Sequence, residues 1–244
     1  MFRYEPVGIS TVDLQAQASF CTRCKFSHSL YSSLCYFRPC RRRSPSSLRR
    51  CTTISYFVLY TKYSSAAYQL IFPSPLGQTL VQSVSPSSVS LPLGFIAQDD
   101  TRQEIVVSFR GTSSIRADAL TGIYNRNILI QAYQGTFLPL GFPSYTSVAE
   151  VVIDAVRAQV AKFPTYTLVV TGHSLGTAIT ALAAVDLKTA IPDATMKLYT
   201  FGQPRTGDAS WAVFAESTIG VDNVHRAVHT FDGVPTMVPQ VLGY

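Results

Sequence analysis

A serine stands between two glycines at Gly172-His173-Ser174-Leu175-Gly176, and the run before it, YTLVVTG (166–172), is apolar and rich in β-branched residues. The run that starts on the serine, SLGTAITALAAVDLKTA (174–190), is rich in Ala and Leu and stops before Pro192. A buried strand that gives way at once to a helix puts Ser174 on a sharp turn, and the flanking glycines let that turn form and let the helix pack close. A serine held in this way lifts its hydroxyl above the sheet edge as a nucleophile. The Leu175 amide, at the helix N-terminus, then faces the oxyanion that develops when a carbonyl is attacked. The chemistry prepared is acyl transfer through an ester on Ser174.

A second strand end offers the other half of an oxyanion hole. EIVVSF (104–109) reads as a buried strand that stops at Arg110-Gly111, and Thr112 follows with both an amide and a hydroxyl to donate. An ordinary turn capped by Thr112 or Ser113 has the same sequence. The carboxylate that orients a base belongs after the nucleophile and past a later strand. Asp232 meets that requirement at the end of VHRAVHTFD, just ahead of Gly233 and Pro235. Asp186, inside the helix after Ser174, and Asp193, at its exit, are rivals that read as solvated.

The elements that must position these residues alternate. Val148, Val152, Ala155, Val156 and Val160 fall at helical spacing in 144–162, ended by Pro164; 197–202 reads as a strand, 208–217 as a helix and 223–232 as a strand. This order predicts an α/β fold with right-handed crossovers and a mostly parallel central sheet covered on both faces, its sites at the carboxyl ends of the strands. There is no internal repeat.

Four segments in order, VVSFRGTSS, TGHSLG, LYTFGQPRTGD and AVHTFDGVP, resemble the fungal class 3 lipases, which include triacylglycerol lipases and feruloyl esterases of filamentous fungi. The resemblance spans residues 53–244. It implies a three-layer α/β-hydrolase fold and hydrolysis of carboxylic esters, acylglycerols first, with feruloyl or other aryl esters as the alternative. It makes Ser174 the nucleophile, Asp232 the triad acid, and Thr112 with Leu175 the oxyanion donors. Residues Ser113 to Leu129 correspond to a lid over Ser174. No cofactor or metal is implied, the partner is an ester or lipid substrate met at a lipid–water interface, and the family points to an extracellular location.

The sequence departs from the family pattern in its base. A triad needs a histidine to take the serine proton, and GVPTMVPQVLGY, the residues after Asp232, holds none. His173 lies in the elbow with its side chain sent away from Ser174, His225 and His229 are read on one face of the last strand as core or rim residues, and His28 lies near the start. Thr177 is bulkier than the glycine usual at that position and is expected to strain the turn. The favoured expectation is a C-terminally truncated or mis-spliced lipase. A non-catalytic, lipid-binding or regulatory descendant is the alternative.

Composition separates residues 1–51 from 52–244. The formal charge of +6 is local: residues 1–60 carry nine Lys or Arg against Glu5 and Asp13, which leaves 11 basic and 12 acidic residues after them. A basic face for nucleic acid is therefore not expected on the folded domain. Cys21, Cys24, Cys35, Cys40 and Cys51 all fall in the first segment, at spacings that match no standard zinc finger. This segment is read as a basic, solvated leader. No apolar run of seven residues follows Met1 as a secretory signal would require, so location rests on the resemblance, and no run is long enough to span a membrane.

Overall fold

The computed structural model describes residues 45–85, 93–112 and 145–237, with side chains from Thr53 onward. The expected lid from Ser113 to Leu129, the first four cysteines and His28 lie outside the described residues. Two compact units divide between Tyr56 and Phe57. Helix α1 (Pro45–Ala66) runs through that division, and the second unit carries the sheet.

Six strands lie side by side in chain order: β1 (Thr79–Val84), β2 (Gly94–Asp99), β3 (Glu104–Phe109), β4 (Thr167–His173), β5 (Met196–Phe201) and β6 (Val224–Ala227). The first two pairings are antiparallel and the last three parallel. Helices α2 (Ala149–Lys162), α3 (Leu175–Ala190) and α4 (Ala209–Ile219) precede β4, β5 and β6 in turn. The architecture is the expected α/β-hydrolase one, with a mixed, mostly parallel sheet. All six residues of β3 are buried, as its unbroken apolar run requires of a strand covered on both faces.

Alternation along the strands sorts their side chains into two layers. One face presents Ile105, Val107, Leu168, Val170, Met196 and Leu198, which form a single core with Val152 and Val156 of α2, Ile179 and Leu182 of α3, and Trp211 of α4. The other face carries the row Phe95, Ser108, Thr171, Tyr199 and His225, in register across five strands. Against this row lies the Phe57–Ala66 part of α1, with Phe57 edge-on to Tyr199 at 5.6 Å and Tyr60 against the same ring at 4.3 Å. Polar anchors fix the helix: Tyr60 Oη donates to Glu104 Oε1 at 2.8 Å, Tyr63 Oη to Asp99 Oδ2 at 3.1 Å, and Ser64 and Thr171 hydroxyls pair at 2.9 Å. Burial raises the Glu104 pKa against the opposing pull of Tyr60 and Arg102.

The last strand is shorter than the sequence suggests. β6 stops at Ala227 because its neighbour β5 ends at Phe201, where Gly202 turns away with φ 62° and donates its amide to the Ala227 carbonyl at 2.9 Å. Residues 228–232 then have no strand to pair with, and Val228 and Phe231 are exposed. His225, on the strand, stacks on Tyr199 at 4.4 Å, whereas His229 lies in the following turn, so the two do not share a strand face.

Asp186 also differs from the solvated residue read from sequence. It is half-buried in the most enclosed helix of the fold, and desolvation pushes its pKa up to about 6. A carboxyl whose folded pKa exceeds its unfolded value leaves stability intact below the unfolded pKa and withdraws it as pH rises through the folded one. Asp186→Asn is therefore expected to raise unfolding stability by about 1 kcal/mol at pH 7 to 8, a figure reduced for partial solvation, and to give no gain near pH 4. Urea unfolding at the two pH values checks this. An equal gain at both would show that desolvation of the charge is not the cause.

Candidate active site

Register brings three strand ends level. Phe109 pairs with Gly172 and His173 with Phe201, so two steps past β3 and one past β4 and β5 set Gly111, Ser174 and Gly202 side by side along the carboxyl edge. Ser174 has φ 54° and ψ −128°, a conformation that costs a non-glycine residue roughly 1–3 kcal/mol and persists only where its surroundings impose it. Those surroundings are specific. The Ser174 amide donates to the Phe201 carbonyl at 2.9 Å, and Thr180 Oγ1, from the next turn of α3, donates to the Thr171 and Gly176 carbonyls at 3.0 and 2.7 Å. A Cβ at Gly172 would strike Thr180 Oγ1 and the Gly176 carbonyl, and one at Gly176 would lie 2.5 Å from the Phe109 carbonyl oxygen.

Thr177 is buried beside this turn, and both its amide, at 3.0 Å, and its hydroxyl donate to the Ser174 carbonyl. The threonine thus closes the first turn of α3 with a bond that a glycine lacks. Leu175 is the first residue of that helix, where an amide has no acceptor within the helix. Across from it, Thr112 is exposed just beyond β3, and a Cβ on Gly111 would come 3.3 Å from the Ser174 Cβ. The absence of a side chain at Gly111 is what lets the two strand ends approach.

Tyr68, two residues beyond α1, completes the support and was not singled out in the sequence. Alternation along β4 sends the His173 ring to the α1 face, and Tyr68 Oη meets its Nδ1 at 2.9 Å, with the rings 5.9 Å apart. A Cβ at Gly111 would also collide with this phenol and lie 2.7 Å from the His173 carbonyl oxygen. The phenol therefore bridges the ends of β3 and β4 directly behind the elbow.

Asp232 lies one strand further along. Its Oδ1 accepts the Val234 amide at 2.9 Å, and its Oδ2 would be 2.9 Å from a Cβ at Gly202, so the carboxylate rests against the end of β5, adjacent to the strand that delivers Ser174. The described histidines are each committed elsewhere. His173 meets Tyr68; His225 stacks on Tyr199, and burial, with Lys197 nearby, lowers its pKa. His229 accepts the Phe231 amide on Nδ1 at 3.3 Å. Among the described residues no group of three or more His, Cys, Asp or Glu is arranged to hold a metal ion, and no helix is long and apolar enough to cross a membrane.

The family model described as lipase (class 3) matches residues 106–242. The chain is 36% identical to the secreted mono- and diacylglycerol lipase A of Penicillium camembertii over 173 residues, 69% of this chain and 54% of that protein. It is 36% identical to a lipase of Rhizopus oryzae over 155 residues, 62% of this chain and 39% of that protein. The chain spans about half the length of the curated relatives it matches. Among solved structures it is similar to a Rhizomucor miehei triacylglyceride lipase, with TM-score 0.66 and 27% identity over 79% of this chain and 77% of that one. A lipase from Rhizopus microsporus var. chinensis superposes with TM-score 0.67 at 29% identity over 79% of this chain and 71% of that one.

Proposed function

This chain belongs to the lipase (class 3) family, and on that premise we propose that its site hydrolyses carboxylic esters, acylglycerols first, through an acyl-enzyme on Ser174. The observation that carries the reading is the imposed backbone of Ser174 at a strand-to-helix turn level with Gly111 and Gly202. In the reaction Ser174 Oγ attacks the ester carbonyl, and the oxyanion is held by the Leu175 amide together with the Thr112 amide and hydroxyl. Collapse expels the alcohol, and water then releases the acid from Ser174. Asp232 orients and stabilises the imidazole that carries the proton.

Acylglycerols are favoured over aryl esters by the relatives, whose names are those of lipases, and an extracellular location by those named as secreted. The test of substrate class supplies imidazole to the 244-residue chain and compares fatty acid release from a long-chain triglyceride emulsion with ferulate release from methyl ferulate, each against Ser174→Ala. Faster, Ser174-dependent fatty acid release is expected. Ferulate release with the triglyceride left intact would move the assignment to an aryl esterase. A second reading, a non-catalytic lipid binder, is favoured by the engagement of all three described histidines away from Ser174, and it predicts triglyceride binding with no Ser174-dependent release under either condition.

A further inference from the structure

The segment that carries Asp232 leaves the sheet at Ala227 and pairs with no strand among the described residues, and Phe231, at 90% exposed, and Met237, at 52%, face outward. Internal bonds shape it without anchoring it. The Asp232 amide donates to the His229 carbonyl at 3.1 Å, Asp232 Oδ1 takes the Val234 amide, and the turn Val234–Thr236 closes with the Met237 amide on the Val234 carbonyl at 2.9 Å. A cross-link to the sheet comes from the loop after β5, where Arg205 Nη1 donates to the Thr236 carbonyl at 2.9 Å.

The base of that cross-link is itself held. Pro204 and Thr206, on either side of Arg205, are buried, Gln203 Nε2 donates to Thr206 Oγ1 at 3.1 Å, and Arg226 of β6 donates to the Gln203 carbonyl at 2.7 Å. The same loop begins at Gly202, against which Asp232 Oδ2 rests. Asp232 is thus seated between the start of this loop and a turn that the loop's own arginine pins. Desolvation lowers the Arg226 pKa, with the neighbouring Arg205 charge adding to it, as expected for two guanidiniums placed side by side to grip carbonyls.

We propose that Arg205 is a positioning residue for Asp232: by pinning the Thr236 carbonyl it fixes the turn whose Val234 amide occupies Oδ1, and so holds Oδ2 against the end of β5. This role rests on reading Asp232 as the acid of the site. A salt link to a lone carboxylate would not do the same, because a carbonyl bond fixes the backbone and leaves the carboxylate charge free for the imidazolium.

Two measurements on the 244-residue chain test it. In hydrogen exchange, Arg205→Ala should speed exchange of the Val234 amide roughly tenfold or more, the scale of a lost charge-assisted bond, while the Ser174 amide on Phe201 stays protected. Arg205→Lys, which keeps a cationic donor, should stay near the parent chain and guards against loss of folding in the alanine variant. In imidazole-supported ester hydrolysis, Arg205→Ala should lower turnover with KM unchanged, and should lower it no further once Asp232→Ala is present. Unchanged Val234 exchange in Arg205→Ala, or rate losses that add fully to those of Asp232→Ala, would overturn the proposal and leave the hydrolase reading standing. An unreduced rate in Asp232→Ala alone would remove the acid role, and with it both.

Discussion

Replacing Gly176 by alanine is expected to leave little folded protein. The added Cβ would lie 2.5 Å from the Phe109 carbonyl oxygen and 2.7 Å from the carbonyl carbon and oxygen of Arg110. These are backbone atoms at the end of a strand paired on both sides, so they have nowhere to go. Nor can α3 retreat as a unit, because every residue from Leu175 to Val185 is buried. Overpacking a core costs about 1–3 kcal/mol when side chains yield, and a clash with fixed backbone should reach about 3 kcal/mol or more. Against a stability of about 5–15 kcal/mol for an ordinary domain this is a large fraction. Gly233, whose Cβ would meet nothing within 4 Å and whose φ of −76° suits any residue, provides the control, with an expected change within about 0.5 kcal/mol. Urea midpoints of the two variants separate the cases. Equal midpoints would mean that α3 does not pack on β3 as described.

The parts of this molecule that could be read from sequence are those whose physics is local. Ser174 announces itself because a strained turn needs glycine on both sides, and because the strand and the helix that flank it each have their own periodicity. Asp232 was singled out by its position after a strand, although that strand ends five residues earlier. Its length is set by where β5 stops, a tertiary fact that the apolar run VHRAVHTF does not record. The bond made by Thr177 was likewise invisible. Bulk at a glycine position suggests strain, and only the geometry turns the hydroxyl toward the Ser174 carbonyl. Tyr68 with His173, and Arg205 with Thr236, join residues 105 and 31 positions apart. No spacing rule links such pairs, since each depends on which face of a strand or which loop of the finished sheet they reach.

If Ser174, Leu175, Thr112 and Asp232 act together with an imidazole base as proposed, a second large effect follows. Without that base, oxyanion stabilisation and binding leave roughly 10³ to 10⁴-fold catalysis over water, a level at which removing Ser174 changes little. Free imidazole that binds beside Asp232 should restore part of the general-base contribution. That contribution is worth about 10² to 10⁴-fold, and a freely diffusing base recovers only part of it, so a rise of roughly tenfold to a hundredfold is expected. The rise should saturate with imidazole and depend on Asp232. Solution catalysis by imidazole does neither, and Ser174→Ala measures it directly.

Hydrolysis of a p-nitrophenyl ester by the 244-residue chain as imidazole is added, with Ser174→Ala run alongside, decides between these outcomes. Equal, low rates are expected in both proteins without imidazole, and a saturating rise in the parent chain alone. Parallel lines for the two proteins would contradict this, and so would rapid Ser174-dependent turnover with no imidazole present.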